Sequence, residues 1–126
     1  MNKKIVLSAV VLMVVAIILG AFGAHGLKVL VSSQNLASFE VGVRYQMYVG
    51  LILLVLGFNS DKLKFSLKWV TNLLSMGAVL FCGSIYLLSL QELTTVKLSF
   101  LGPITPIGGS LMIASLLVLM VKLIKN

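Results

Sequence analysis

Long intervals without a formal charge constrain this chain more than any other feature. No Asp, Glu, Lys or Arg occurs from Ile5 to Leu27, Tyr45 to Ser60, Trp69 to Gln91 or Leu98 to Val121. A helix needs about 20 predominantly apolar residues to cross the hydrocarbon core of a bilayer. The first, third and fourth intervals reach that length outright. The second reaches it when its helix starts near Val41, which places Arg44 in the first turn. The spacing predicts an all-α integral membrane protein, a four-transmembrane-helix bundle with spans over residues 5–25, 41–58, 69–90 and 105–124. Only 10% of the 126 residues are charged and 60% are hydrophobic, against about 25% charged in soluble domains. One membrane domain accounts for residues 1–126.

The basic residues set the expected threading. Lys3, Lys4, Lys62, Lys64, Lys68, Lys122 and Lys125 fall on one side, and Lys28, Arg44 and Lys97 on the other. Cytoplasmic loops carry the excess of lysine and arginine, so both termini are expected in the cytoplasm (N-in/C-in) of a bacterial cell membrane. The net charge of +7 is accounted for by anionic lipid headgroups and calls for no nucleic-acid partner. The first span resembles a signal peptide, with a basic start and small residues near Ala21-Phe22-Gly23. Its small-residue seam favours retention as a packed helix. The lone Cys82 cannot form an internal disulfide or a Cys-x-x-Cys pair, which removes membrane thiol oxidases and disulfide carriers.

Association in lipid favours small residues that let backbones approach. Ala9, Ala16, Gly20, Gly23 and Ala24 share a side of the first helix, and Gly42, Gln46, Gly50, Leu53 and Gly57 share one on the second. Asn72, Ser75, Val79, Cys82, Gly83, Tyr86 and Ser89 form a weakly polar stripe on the third, as do Thr105, Gly108, Gly109, Met112 and Ser115 on the fourth. Gly20, Gly23, Gly50, Gly83, Gly108 and Gly109 are the expected packing glycines, and Gly26 suits a left-handed helix cap. In LGPITPIGG the residues before proline, Gly102 and Thr105, are expected to be extended. Thr105 would then cap a fourth helix starting at Pro106. Residues 28–39 are too polar to span and too apolar for a free loop, which suggests an amphipathic segment lying in the interface.

With this threading the distinctive residues gather in the outer half: His25, Glu40, Arg44, Gln46, Tyr48, Ser84, Tyr86 and Thr105. They form a candidate polar or lipid-contact pocket. Glu40 and Arg44 stand four apart in the favourable order for a helical ion pair, and Arg44 could instead hold an anionic lipid group. His25 alone supplies too few ligands for a metal or haem, so no cofactor or metal is expected. Ser84, His25 and Glu40 can be drawn as a catalytic triple, but no nucleophile-elbow motif supports it, and no catalytic residue is assigned. The acids Glu40, Asp61 and Glu92 all lie at span boundaries, which weakens a proton-coupled exporter.

GAFGAHGL after the first helix, RYQMY opening the second, GSIYLL late in the third and LGPITPIGG opening the fourth resemble the domain of unknown function 423 family. Its members are small four-helix membrane proteins similar to transmembrane protein 256 of animals. The resemblance runs over nearly the whole chain and implies four spans with a retained first helix, but no activity. It departs at Val49, where the family pattern commonly has a histidine. The leading expectation is a non-enzymatic bundle with an outer polar or lipid-contact pocket, alone, as a homo-oligomer or with a membrane-protein partner. A small-solute transporter or channel, or a subunit of one, ranks second, and an enzyme acting on lipid third.

Overall fold

Asn2 starts the first helix. Its backbone is extended (φ −98°, ψ 105°) and its side-chain oxygen accepts the Ile5 amide, one of the donors a first helical turn leaves unmet. The computed structural model describes residues 1–126 and is all-helical, with α1 (Lys3–His25), α2 (Ser33–Phe58), α3 (Lys68–Ser89) and α4 (Ile104–Lys125). All four are long and apolar enough to cross a membrane. They pack in chain order, α1 on α2, α2 on α3 and α3 on α4. Gly57 lies against Val6 and Gly23 against Phe39, so α1 and α2 are antiparallel. Ser115 bonds to Val70 and Thr105 to Ser84, so α3 and α4 are too. Both termini therefore lie at one end of the bundle, and His25 and Thr105 at the other.

Glycines set the closest crossings. A Cβ on Gly108 would lie 2.8 Å from the Phe81 Cα and 2.9 Å from the Gly77 carbonyl oxygen. One on Gly50 would lie 2.6 Å from the Met13 Cγ and 3.3 Å from the Ala9 carbonyl oxygen. Lipid tails are as apolar as leucine, so dispersion at such short range holds the helices together. Ala9, Val49, Leu53, Leu74, Ala78 and Met112 form the apolar centre, with all four helices contributing. The outward faces, including Val10, Ile17 and Ile18 on α1 and Ile113, Leu117 and Met120 on α4, are exposed and apolar, as hydrocarbon requires.

Four sequence expectations are corrected. Gly26 is not left-handed (φ −74°, ψ −47°); the chain turns through a 3₁₀ segment at Leu27–Val29. Residues 28–39 are not one interfacial segment, because α2 already begins at Ser33. The Ser32 hydroxyl oxygen accepts the Asn35 amide at 3.2 Å, and the Ser32 amide donates to Glu92 Oε1 at 2.6 Å. A carboxylate at a helix N-terminus also meets the positive end of the helix dipole. Gly102 is helical (φ −53°, ψ −49°), since without a Cβ it escapes most of the clash with the following proline ring. Thr105 is not a cap but lies inside the first turn of α4, with Pro103 at the cap position. Pro106 is tolerated there because the first four amides of a helix have no intrahelical acceptor.

The expected packing glycines differ among themselves. Gly50 and Gly108 sit at tight crossings, and a Cβ on Gly23 would lie 3.2 Å from the Phe39 ring. Gly20 and Gly109 would make only ordinary contacts of 3.4 Å, and a Cβ on Gly83 would meet nothing within 4 Å. Gly77, on another face of α3, takes the place expected for Gly83. Its Cβ would approach the Gly108 carbonyl oxygen to 2.8 Å.

Candidate functional site

The earlier start of α2 moves its polar residues deeper into the bundle. Gln46 falls near the middle of a helix about 39 Å long at 1.5 Å per residue and is 6% exposed. Its Nε2 donates to the Leu12 carbonyl at 2.8 Å, and its Oε1 accepts from the Tyr86 hydroxyl at 2.7 Å. One amide thereby ties α1, α2 and α3 at a single level. The Tyr86 ring lies 5.0 Å from the Phe39 ring centroid, at 46°, and against Gly42, where a Cβ would come within 2.7 Å of it. In hydrocarbon an unpaired amide is costly, so this node is closed on both of its ends.

Ser84 and Thr105 form a second polar contact, between α3 and α4. The Ser84 hydroxyl donates to the Phe81 carbonyl at 3.0 Å. A hydroxyl has one proton, so Thr105 is the donor in the 2.6 Å bond to Ser84. This arrangement engages Ser84 without a histidine and answers the catalytic triple drawn from Ser84, His25 and Glu40. Deeper along the same crossing the Ser115 hydroxyl, fully buried, donates to the Val70 carbonyl at 2.6 Å.

The remaining candidates point away from these contacts. His25, Glu40, Arg44 and Tyr48 are exposed. No ion pair joins Glu40 to Arg44; the structure's salt bridge joins the Met1 amino group to Asp61 at the opposite end. Tyr48 packs its ring edge-on to Tyr45 at 5.5 Å. Arg44 is exposed beside Tyr45, whose ring meets Phe81 at 5.1 Å. The eight candidates run from the His25 end to the middle of the bundle, where Gln46 and Tyr48 lie, and do not converge on one point. Val49, where the resemblance pointed to a histidine, is 2% exposed within the apolar centre.

The open space lies between α1 and α3, which do not close on each other. A cleft of about 230 Å³ runs between Val11, Leu12 and Val15 of α1 and Ala78, Val79 and Gly83 of α3, with Gln46 and Tyr86 beneath. One turn toward the terminal end, a second cleft of about 180 Å³ lies between Lys4 and Ser8 of α1 and Thr71, Asn72 and Ser75 of α3. Sequence reasoning placed Asn72, Ser75, Val79 and Gly83 on one stripe but read them as an interior face; Lys4 and Ser8 were not connected to them. The helical spacing of three and four residues kept by both rows is the signal that links them.

A family model described as protein of unknown function (DUF423) matches residues 19–109. The chain is 42% identical over 113 residues to UPF0382 membrane protein YwdK of Bacillus subtilis, covering 87% of each chain. It is 42% identical over 106 residues to a UPF0382 membrane protein of Staphylococcus haemolyticus, covering 84% of this chain and 83% of that one. A Staphylococcus epidermidis relative of the same description is 44% identical over 106 residues, with the same two coverages. No solved structure matches the chain.

Proposed function

The chain belongs to the DUF423 family, and for this member we propose a non-enzymatic lipid-contact bundle of the bacterial cytoplasmic membrane, with both termini in the cytoplasm. The observation that carries this reading is the cleft between α1 and α3. Its walls are valine, leucine, alanine, glycine and Cys82, and its floor is a Gln46–Tyr86 pair whose hydrogen bonds are already made. Such a surface offers dispersion contact to an alkyl chain and little to a polar solute. The basic majority at the terminal end supports the threading.

A solute path is the weaker reading. Val49, Leu53, Leu74 and Ala78 close the space between α2 and α3, and Gln46, Tyr86, Ser84, Thr105 and Ser115 make their hydrogen bonds within the bundle. An enzyme would need a nucleophile and base in hydrogen-bond reach, and Ser84 faces Thr105 and Phe81 instead.

Photo-cross-linking tests the cleft. A phospholipid carrying a diazirine at the end of one acyl chain should label the stretch from Val79 to Gly83. Gly83→Phe, which grows into open space, should reduce that label severalfold while the protein stays folded. Labelling spread evenly over the outer faces of α1 and α4, with no loss in Gly83→Phe, would refute the reading. Threading is checked separately in a Cys82→Ala background, where His25→Cys should react with an impermeant thiol reagent added outside cells and Lys125→Cys should not.

A further inference from the structure

The terminal end of the α1–α3 seam holds a chemistry that neither the apolar cleft nor the threading requires. A third cleft of about 370 Å³, lined by Lys4 and Lys68 among mostly polar neighbours, opens at this end. It shares Lys4, Ile5, Thr71 and Asn72 with the 180 Å³ cleft, so the two are continuous. The nearby acid, Asp61, is taken by the Met1 amino group. The lysine at this end that finds a protein acceptor is Lys122, on the Ser66 carbonyl at 2.8 Å. Lys4 and Lys68 make no such bond.

Along the seam both helices carry the same gradient. On α1 it runs Lys4, Ser8, Val11 and Val15; on α3 it runs Lys68, Asn72, Ser75 and Val79. Each series keeps helical spacing, and α1 and α3 run parallel, so both rows pass from a lysine through polar residues to valine in the same direction along the seam. The order is that of a phospholipid: anionic head, polar ester region, apolar chain. The length fits as well. Lys4 to Val15 spans about 16 Å at 1.5 Å per residue, close to half of a hydrocarbon core roughly 30 Å thick.

We infer that the seam between α1 and α3 seats one anionic phospholipid of the leaflet at the terminal end, with its phosphate between Lys4 and Lys68 and an acyl chain running past Ser8 and Ser75 to the Val11–Val79 cleft. This deepens the proposed function and rests on it for the position of the chain. The charge complementarity sets the class of occupant: two ammonium groups and several hydroxyl and amide donors favour a headgroup whose net charge is negative. The Gln46–Tyr86 floor marks where the chain ends.

The experiment uses the full chain in phosphatidylcholine vesicles containing a trace of diazirine-tailed phosphatidylglycerol or diazirine-tailed phosphatidylcholine. Phosphatidylglycerol should label the stretch from Val79 to Gly83 more strongly. The double variant Lys4→Gln/Lys68→Gln should remove that preference, by about fivefold for each lysine lost. Lys62→Gln/Lys125→Gln removes the same charge outside the seam and should leave the preference in place. Equal labelling by the two lipids, or equal loss in both double variants, overturns the headgroup site while leaving the apolar cleft standing. Labelling by neither lipid overturns the cleft reading itself. Inorganic phosphate that erases the preference at matched ionic strength would point to a free anion and overturn the lipid.

Discussion

Two sides of α3 are lined with small residues, and only one of them is shut. Toward α4, Gly77 meets Gly108 so closely that backbone touches backbone. Toward α1, Ser75, Ala78 and Gly83 border open clefts. Composition alone does not separate the two sides. The difference lies in the partner: α4 brings a glycine of its own to the crossing, whereas α1 presents Val11, Leu12 and Val15, whose branched side chains hold the helices apart. A small residue permits close approach only when the facing helix is also small at that level. A mismatch leaves a groove.

The shut side should therefore be the most sensitive. Gly108→Val would drive a branched side chain into the Phe81 backbone, and neither helix can yield without separating. α4 packs chiefly on α3, so the expected loss is at least about 3 kcal/mol, the upper part of the overpacking range. The single buried Cys82, 3% exposed, gives the readout, because a thiol-reactive dye will report its exposure on heating in detergent. A midpoint unchanged from the parent would break the comparison at its root.

The next effect lies at the node that bridges the two sides. Gln46→Leu removes both bonds and leaves the Tyr86 hydroxyl without a partner, which should cost about 1–3 kcal/mol. Adding Tyr86→Phe removes the orphaned hydroxyl, so the double variant should be more stable than Gln46→Leu alone. The same dye assay reads the order. A double variant less stable than Gln46→Leu would show that the Tyr86 hydroxyl has another acceptor.

On the shut side a third change tests whether polar contact adds to close packing. Ser115→Ala removes the bond to the Val70 carbonyl, and interhelical hydrogen bonds in membranes contribute about 1 kcal/mol. A loss of that size, well below the loss in Gly108→Val, would place dispersion ahead of hydrogen bonding in holding α4. The reverse order would make Ser115 the main tie.

The sequence carried the four helices plainly, because charge-free intervals of that length have no other low-energy use. It also carried the residue types of both polar contacts, Gln46 with Tyr86 and Ser84 with Thr105, though not their pairing. It misplaced the start of α2 because residues 33–40 are too polar to count toward a membrane span, although the Ser32 cap on the Asn35 amide is a local signal; the bond from Glu92, 60 positions away, has no local sign. It chose Gly83 over Gly77 because a helix can carry small residues on several faces, and only the opposing helix decides which one closes. The terminal clefts were missed for another reason. Lys4 and Lys68 mark the threading as any basic residue near a span end does, and only the packing of the helices shows that the two share a cleft.

The smallest effect is also the sharpest discriminator. Gly83→Ala places a methyl group where nothing lies within 4 Å, so packing neither gains nor loses. What remains is the backbone: an interior glycine destabilises a helix by about 0.5–1 kcal/mol relative to alanine, so Gly83→Ala should raise stability by about 0.5 kcal/mol. Gly77→Ala gains the same backbone term but drives its methyl toward the Gly108 carbonyl oxygen and the Met112 amide, at 2.8 and 2.9 Å, so it should lower stability. Opposite signs for the same substitution, six positions apart on one helix, would follow only if one side of α3 is closed and the other open. Equal losses at both would mean that α1 settles onto α3 in the membrane, which would also remove the space for a lipid chain.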